Sequence, residues 1–103
     1  QEAQQYMVYE LLSTGAENAR TAKELCQALG IDEKDWRIVS KAVERERREG
    51  KPICASSSSD FPGYYKPANR EELTRYIDRL HKRAGEIYKT RRALQKVLEG
   101  MEV

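Results

Sequence analysis

The sequence predicts a mainly α-helical chain with a small β-hairpin, an α+β arrangement in which short helices lead into the hairpin and a long C-terminal helix follows it. Three observations carry this expectation. Two capping boxes, Thr21 with Glu24 and Asn69 with Glu72, each open an apolar-periodic run. The stretch "EGKPICASSSSDFPGYYKP", Glu49 to Pro67, sets two short apolar segments around a serine run. From Leu73 to Met101 an apolar residue then recurs at every seventh position. A chain of 103 residues suits one domain and one extended element, divided here into residues 1–67 and 68–103.

The first element is expected at Tyr6–Leu12, a helical segment with Met7, Leu11 and Leu12 on one face. It should stop near Gly15, where a left-handed C-cap is cheap for glycine. The second, in "TAKELCQALG", starts at the Thr21 box and closes at Gly30, with Leu25, Cys26 and Leu29 on its apolar side. The third is expected at about 33–49, with Asp32 at its start and Asp35 as a weaker capping partner. Trp36, Val39 and Val43 share one of its faces, and Glu46 continues that face where an apolar residue would be expected. Arg37, Ser40, Lys41, Glu44, Arg45 and Arg48 lie on the opposite side. Gly50 ends the helix and Pro52 prevents its continuation.

Strands follow at Ile53–Ala55 and Tyr64–Lys66, with a polar tip from Ser56 to Pro62. A disordered serine linker is the competing reading, weakened by the short apolar flanks and by Gly63 at the point of re-entry. In the last helix Leu73, Leu80, Ile87, Leu94 and Met101 fill heptad position d, and Ile77, Ala84, Arg91 and Leu98 fill a. Gly85 weakens that helix by about 1 kcal/mol relative to alanine, so a break there is an alternative. An unbroken helix over 70–100 would be about 45 Å long, too long a stripe for the rest of a small domain to cover, and a second subunit is its natural cover.

Charged residues make up 35% of the chain and the hydrophobic set 39%, so a core exists but is small. Net charge is only +2, and its distribution says more than its sum. Residues 1–31 carry four acids and two bases; Lys82 to Lys96 carry six bases and one acid. That basic run is either the wet side of a coiled coil or a contact for a polyanion such as nucleic acid, the former favoured. The two cysteines, Cys26 and Cys54, sit in apolar runs and read as buried small hydrophobes rather than a disulfide or redox pair. Two thiols without a signal-like segment point to a reduced, cytoplasmic setting, and no run approaches the ~20 apolar residues of a membrane helix. His81 is the sole histidine, no zinc-ligand spacing or glycine-rich phosphate loop occurs, and an enzyme, a cofactor or a small-molecule ligand is not expected.

Helix, helix, helix and hairpin is the order of a winged helix-turn-helix, and the residues also resemble that family. "ARTAKELCQALGI" is similar to its second helix, and "EGKPICAS" with "GYYKP" is similar to the wing of biotin-repressor-type members. The resemblance covers about residues 16–67, and short winged-helix proteins of bacterial phages and mobile elements look closest. The chain departs from the family twice: the link between the second and third helices is about three residues longer, and Glu46 stands where the family has a core leucine.

The resemblance implies a small transcriptional regulator that binds double-stranded DNA. Its recognition helix, about 33–49, would lie in the major groove and its wing, 52–66, on the flanking backbone. Contacts would fall on Thr21, Lys34, Arg37, Ser40, Lys41 and Arg45, on Ser57 and Ser58 of the wing tip, and on Lys66. The amides of the second helix, beside Thr21, are a candidate phosphate site, and Trp36 is expected in the core. A homodimer through Leu73, Ile77, Leu80, Ala84, Ile87, Leu94 and Leu98 would set the half-site spacing. The runner-up is a winged-helix protein–protein adaptor or a module of a larger phage assembly, favoured by the low net charge and the acids at 32, 33 and 35.

Overall fold

A computed structural model describes residues 6–101 of the chain. In order they form 3-10 turns at Tyr9–Leu11 and Ala16–Asn18, helix α1 (Ala22–Leu29), a 3-10 turn at Glu33–Asp35, and helix α2 (Trp36–Arg48). An antiparallel hairpin of β1 (Cys54–Ser56) and β2 (Gly63–Tyr65) follows, then helix α3 (Arg70–Glu99). The chain is mainly helical with one small hairpin and a long C-terminal helix, as expected. Two compact units divide it between Leu73 and Thr74, so the first turn of α3 belongs to the N-terminal unit. Among the described residues, no helix is long and apolar enough to cross a membrane.

The α1 boundaries follow from its caps. Thr21 Oγ1 accepts the Glu24 amide at 3.1 Å, and Glu24 Oε1 accepts the Thr21 amide at 2.8 Å. At the other end the Gly30 amide donates to Gln27 O and the Ile31 amide to Cys26 O, which satisfies the last carbonyls. The extra residues between α1 and α2 are the 3-10 turn at Glu33–Asp35, entered by an Asp32 side chain that accepts from the Lys34 amide at 3.0 Å. Asp35 makes no side-chain cap, so that expected role falls to Asp32 alone.

Val39, Ala42, Val43 and Glu46 form the buried face of α2. The core joins the three apolar members of that face to Leu25 and Cys26 of α1 and to Val8, Leu12 and Ile53. Each fully buried leucine or valine contributes roughly 1.5–3 kcal/mol relative to exposure. Cys26 and Cys54 are both buried, and neither is in a disulfide.

The segment at Tyr6–Leu12 is not the expected helix. It makes one 3-10 turn, and the inward residues are Val8 and Leu12, while Met7 is exposed. Two features account for this. Beyond the turn the chain runs extended, with the Lys66 amide donating to Ser13 O and the Gly15 amide donating to Lys66 O. Gly15 therefore ends no helix; at φ 95°, ψ 142° it leads into the turn at Ala16–Asn18.

The second feature is Glu46. Its side chain is fully buried, and Oε1 accepts the amides of Val8 (2.8 Å) and Tyr9 (3.0 Å). These are orphan donors at the start of the 3-10 turn, so Glu46 caps that turn from a residue thirty-eight positions away. Its Oε2 lies 3.7 Å from Lys51 Nζ, which supplies the counter-charge. A carboxylate at an apolar position is thus explained by donors that a leucine would leave unsatisfied.

In the hairpin Cys54 pairs with Tyr65, Ala55 with Tyr64 and Ser56 with Gly63. Strand boundaries lie one residue from those expected, and Tyr65 is buried with Tyr64 half-buried. Arg20 adds a third lane: its amide donates to Tyr64 O at 2.9 Å and the Tyr64 amide donates back at 2.7 Å. Gly63, at φ 122°, makes the approach feasible, since a Cβ there would stand 2.1 Å from Arg20 O. Arg47 Nε donates to Ile53 O at 2.8 Å and ties the end of α2 to the hairpin.

Helix α3 opens on Asn69, whose Oδ1 accepts the Glu72 amide at 2.8 Å. The reciprocal bond is displaced by one residue: Glu72 Oε1 accepts from Ala68 N at 2.7 Å, and Oε2 from Ala16 N at 3.1 Å. Through its 30 residues the helix passes Gly85 without a break.

Candidate nucleic-acid interface

The outward face of α2 presents Arg37 and Lys41 one turn apart, opposite the buried stripe of Val39, Ala42 and Val43, and both are exposed. The Arg37 guanidinium lies 5.5 Å from the centroid of the Trp36 ring, close enough for cation–π attraction. Lys34 is exposed in the turn just before the helix. Arg48 continues the same face at the far end, exposed as well. Its spacing of seven from Lys41 is legible in the sequence, although the family resemblance does not point to it. Glu44 stands between them and lowers the positive charge of the strip.

Trp36 is not in the core. It is 42% exposed, the first residue of α2, and it lies to one side of the stripe that Val39 and Val43 define. Together with Thr21, Ser40, Ser56, Pro62 and Tyr64 it lines a recess between the start of α1, the start of α2 and the hairpin. Thr21 and Ser40, both half-buried, are therefore neighbours of one recess rather than members of the outward strip. The phosphate site expected at α1 is already occupied by protein groups. Thr21 Oγ1 and the Glu24 carboxylate fill the cap, and that carboxylate repels a second anion.

Ser57 and Ser58 are exposed at the hairpin tip. Ser56 and Ser58 each accept an amide two residues on, Ser58 N at 3.1 Å and Asp60 N at 3.2 Å, which orders the tip locally.

Two expected contacts are held elsewhere. The Arg45 guanidinium donates to Tyr6 O and lies 3.7 Å from Glu49, at the edge of the buried face. Lys66 Nζ sits 4.5 Å from the centroid of Tyr9, whose amide is one of those capped by Glu46. Both side chains brace the N-terminal segment, which no local pattern around Arg45 or Lys66 signals.

Electrostatically the N-terminal unit is almost neutral. Residues 6–73 carry eleven Lys and Arg against twelve Asp and Glu, whereas residues 74–101 carry eight against three. Burial pushes the Cys26 thiol up from its ordinary value, and the carboxylates of Asp35, Glu33 and Asp32 push the same way. Such a thiol is a poor nucleophile.

Along α3 the heptad residues expected at a dimer interface are exposed: Ile77 53%, Leu80 42%, Ile87 62%, Leu94 63% and Leu98 60%. Ala84 is exposed too, while Leu73 is half-buried within the N-terminal unit. Arg91 interrupts the stripe between Ile87 and Leu94. Compared with protein-family models, curated proteins and solved structures, the chain matches none.

Proposed function

We propose that the chain is a winged helix-turn-helix protein that binds double-stranded DNA, a small regulator of phage or mobile-element type acting in the cytoplasm as a homodimer. It is a binding protein rather than an enzyme. The observation that carries this reading is the face of α2: Arg37 and Lys41 stand exposed on a helix whose opposite side is anchored in the core. A helix held in this way is the element that reads the major groove, where arginine and lysine recognise guanine edges and phosphates. The exposed serine tip beyond β1 suits contact with the flanking backbone. The exposed heptads of α3 support a second copy as the occupant of its apolar seam, because a seven-residue register, apolar at every d position and broken at a only by Arg91, is what supercoiled helix pairs require.

The test is a fluorescence-anisotropy titration against duplex DNA with the parent, Arg37→Glu and Lys41→Glu. Each reversal is expected to lower affinity about tenfold or more, with circular dichroism unchanged because both residues are exposed. Arg45→Glu is a poor probe, since it breaks the contacts with Tyr6 and Glu49. Equal affinity for all three proteins contradicts the assignment of the face.

A protein–protein adaptor is the second reading, and one observation favours it. The near-neutral N-terminal unit has a recess floored by apolar atoms of Trp36, Pro62 and Tyr64, with Phe61 exposed at its rim segment. Such a patch suits a protein segment better than a phosphate. Absence of duplex binding at low salt would move the proposal to that reading.

A further inference from the structure

The sequence places a basic residue at every f position within α3: Arg75, Lys82, Lys89 and Lys96. Position f lies opposite the a/d seam, so the four cations form one ridge on the back of α3, and all four are exposed. Seven residues of helix advance about 10.5 Å, so the ridge is about 31 Å long. Arg79 and Arg92 flank it; Asp78 and Glu86 border it, the latter 4.0 Å from Lys89. The excess of positive charge in this region contrasts with the near-neutral unit that carries α2.

We infer that this ridge is a nucleic-acid backbone-binding surface, and that it supplies most of the electrostatic affinity for DNA. The inference rests on the DNA reading above and deepens it. Duplex DNA carries one negative charge per roughly 1.7 Å of axis, so a ridge about 31 Å long faces many more phosphates than it has cations. Lysines and arginines spaced about 10.5 Å apart can each neutralise one. Neither carboxylate interrupts the f column itself.

An anionic membrane is the competing polyanion, and the geometry disfavours it. A helix lying in a bilayer surface buries its apolar stripe and keeps its cations beside that stripe, at headgroup level. Here the f column is on the far side of the helix, about 10 Å across, and would point away from the headgroups. Two opposite faces suit two different ligands: a second copy on the seam and nucleic acid on the ridge.

The experiment compares the parent with a variant carrying Arg75→Gln, Lys82→Gln, Lys89→Gln and Lys96→Gln. Affinity for a random-sequence duplex is measured over a range of salt concentrations, with binding to vesicles of anionic and neutral phospholipid measured alongside. The parent should show a steep dependence of log K on log salt. The variant should flatten that slope by about 2–4, at roughly 0.9 for each phosphate left without its cation, and bind at least about tenfold more weakly at low salt. Glu86→Gln, which removes a bordering carboxylate, should instead bind about twofold more tightly at low salt. A variant slope equal to the parent's overturns this inference while leaving DNA binding through α2 intact. No duplex binding by the parent at low salt overturns both. Vesicle binding that disappears in the variant, without any duplex binding, assigns the ridge to a membrane instead.

Discussion

In the N-terminal unit α1 and α2 each bury a face, and several polar groups next to the core are held by specific partners. Glu46 takes two amides and faces Lys51, Arg47 holds the Ile53 carbonyl, and Glu72 accepts from both Ala16 and Ala68. Past Tyr76 the long helix is built otherwise. From Ile77 to Met101 its apolar side chains are exposed, and its polar ones lie on the surface. The first region carries its own core, so its stability belongs to the single chain. The second forms a helix by propensity and repeat alone, and the proposed dimer would make its packing depend on protein concentration. Charge divides in the same way: the region with the core is nearly neutral, and the region without one is basic.

The largest way to break this contrast lies in the tail. Ile87→Asp with Leu94→Asp puts two carboxylates into the proposed seam, each costing several kcal/mol if buried against apolar neighbours. Light scattering should report a monomer at concentrations where the parent is a dimer, while the N-terminal unit unfolds at an unchanged midpoint. A variant that keeps the parent's mass would show that the seam is not the interface.

Within the N-terminal unit Glu46→Ala should cost about 3 kcal/mol, because it leaves the buried Val8 amide and the part-buried Tyr9 amide without their acceptor and removes the counter-charge of Lys51. Glu46→Gln keeps one acceptor and should cost less. Urea unfolding followed by circular dichroism measures both; a loss below about 1 kcal/mol for the alanine would mean that the cap contributes little.

Gly63→Ala is expected to cost about 2 kcal/mol, since the positive φ and the contact with Arg20 O both oppose a side chain. Thermal melting gives the loss, and faster exchange of the Tyr64 amide would locate it in the hairpin. Protection equal to the parent's would contradict the close approach.

The smallest effect concerns Cys26. Its raised pKa means that the folded chain holds the thiol proton more firmly than the unfolded chain does. Stability is therefore flat below the ordinary thiol range of about 8.5 and falls as pH rises above it, by less than the about 1.4 kcal/mol per pH unit of a full proton. Comparing parent with Cys26→Ala between neutral and alkaline pH isolates this slope. Identical slopes would place the thiol in a more polar setting than the structure does.

How much of this is legible in the sequence depends on how far each residue's partner lies along the chain. The Thr21 box marks α1 to the residue because both halves of that cap are three positions apart. The stripe of Val39 and Val43 marks the buried side of α2 equally well, and the seven-residue repeat marks α3 through Gly85. Tyr6–Leu12 misleads because its apolar spacing fits a helix, whereas its conformation is set by Glu46 and Lys66, both distant in sequence. The contacts of Arg45 and Lys66 with the N-terminal segment are hidden in the sequence for the same reason: a cation that braces a backbone carbonyl or a tyrosine ring looks like any other cation on the chain. Hydrophobicity alone sends Trp36 inside, but the turn at Glu33–Asp35 makes it the first residue of α2, at the rim of the packed stripe.

The most direct test of sequence-specific DNA recognition is selection of bound duplexes from a randomised library at physiological salt, followed by sequencing. The account predicts enrichment of one site with two related halves, lost in Arg37→Glu and Lys41→Glu. A bound pool as random as the input would contradict it.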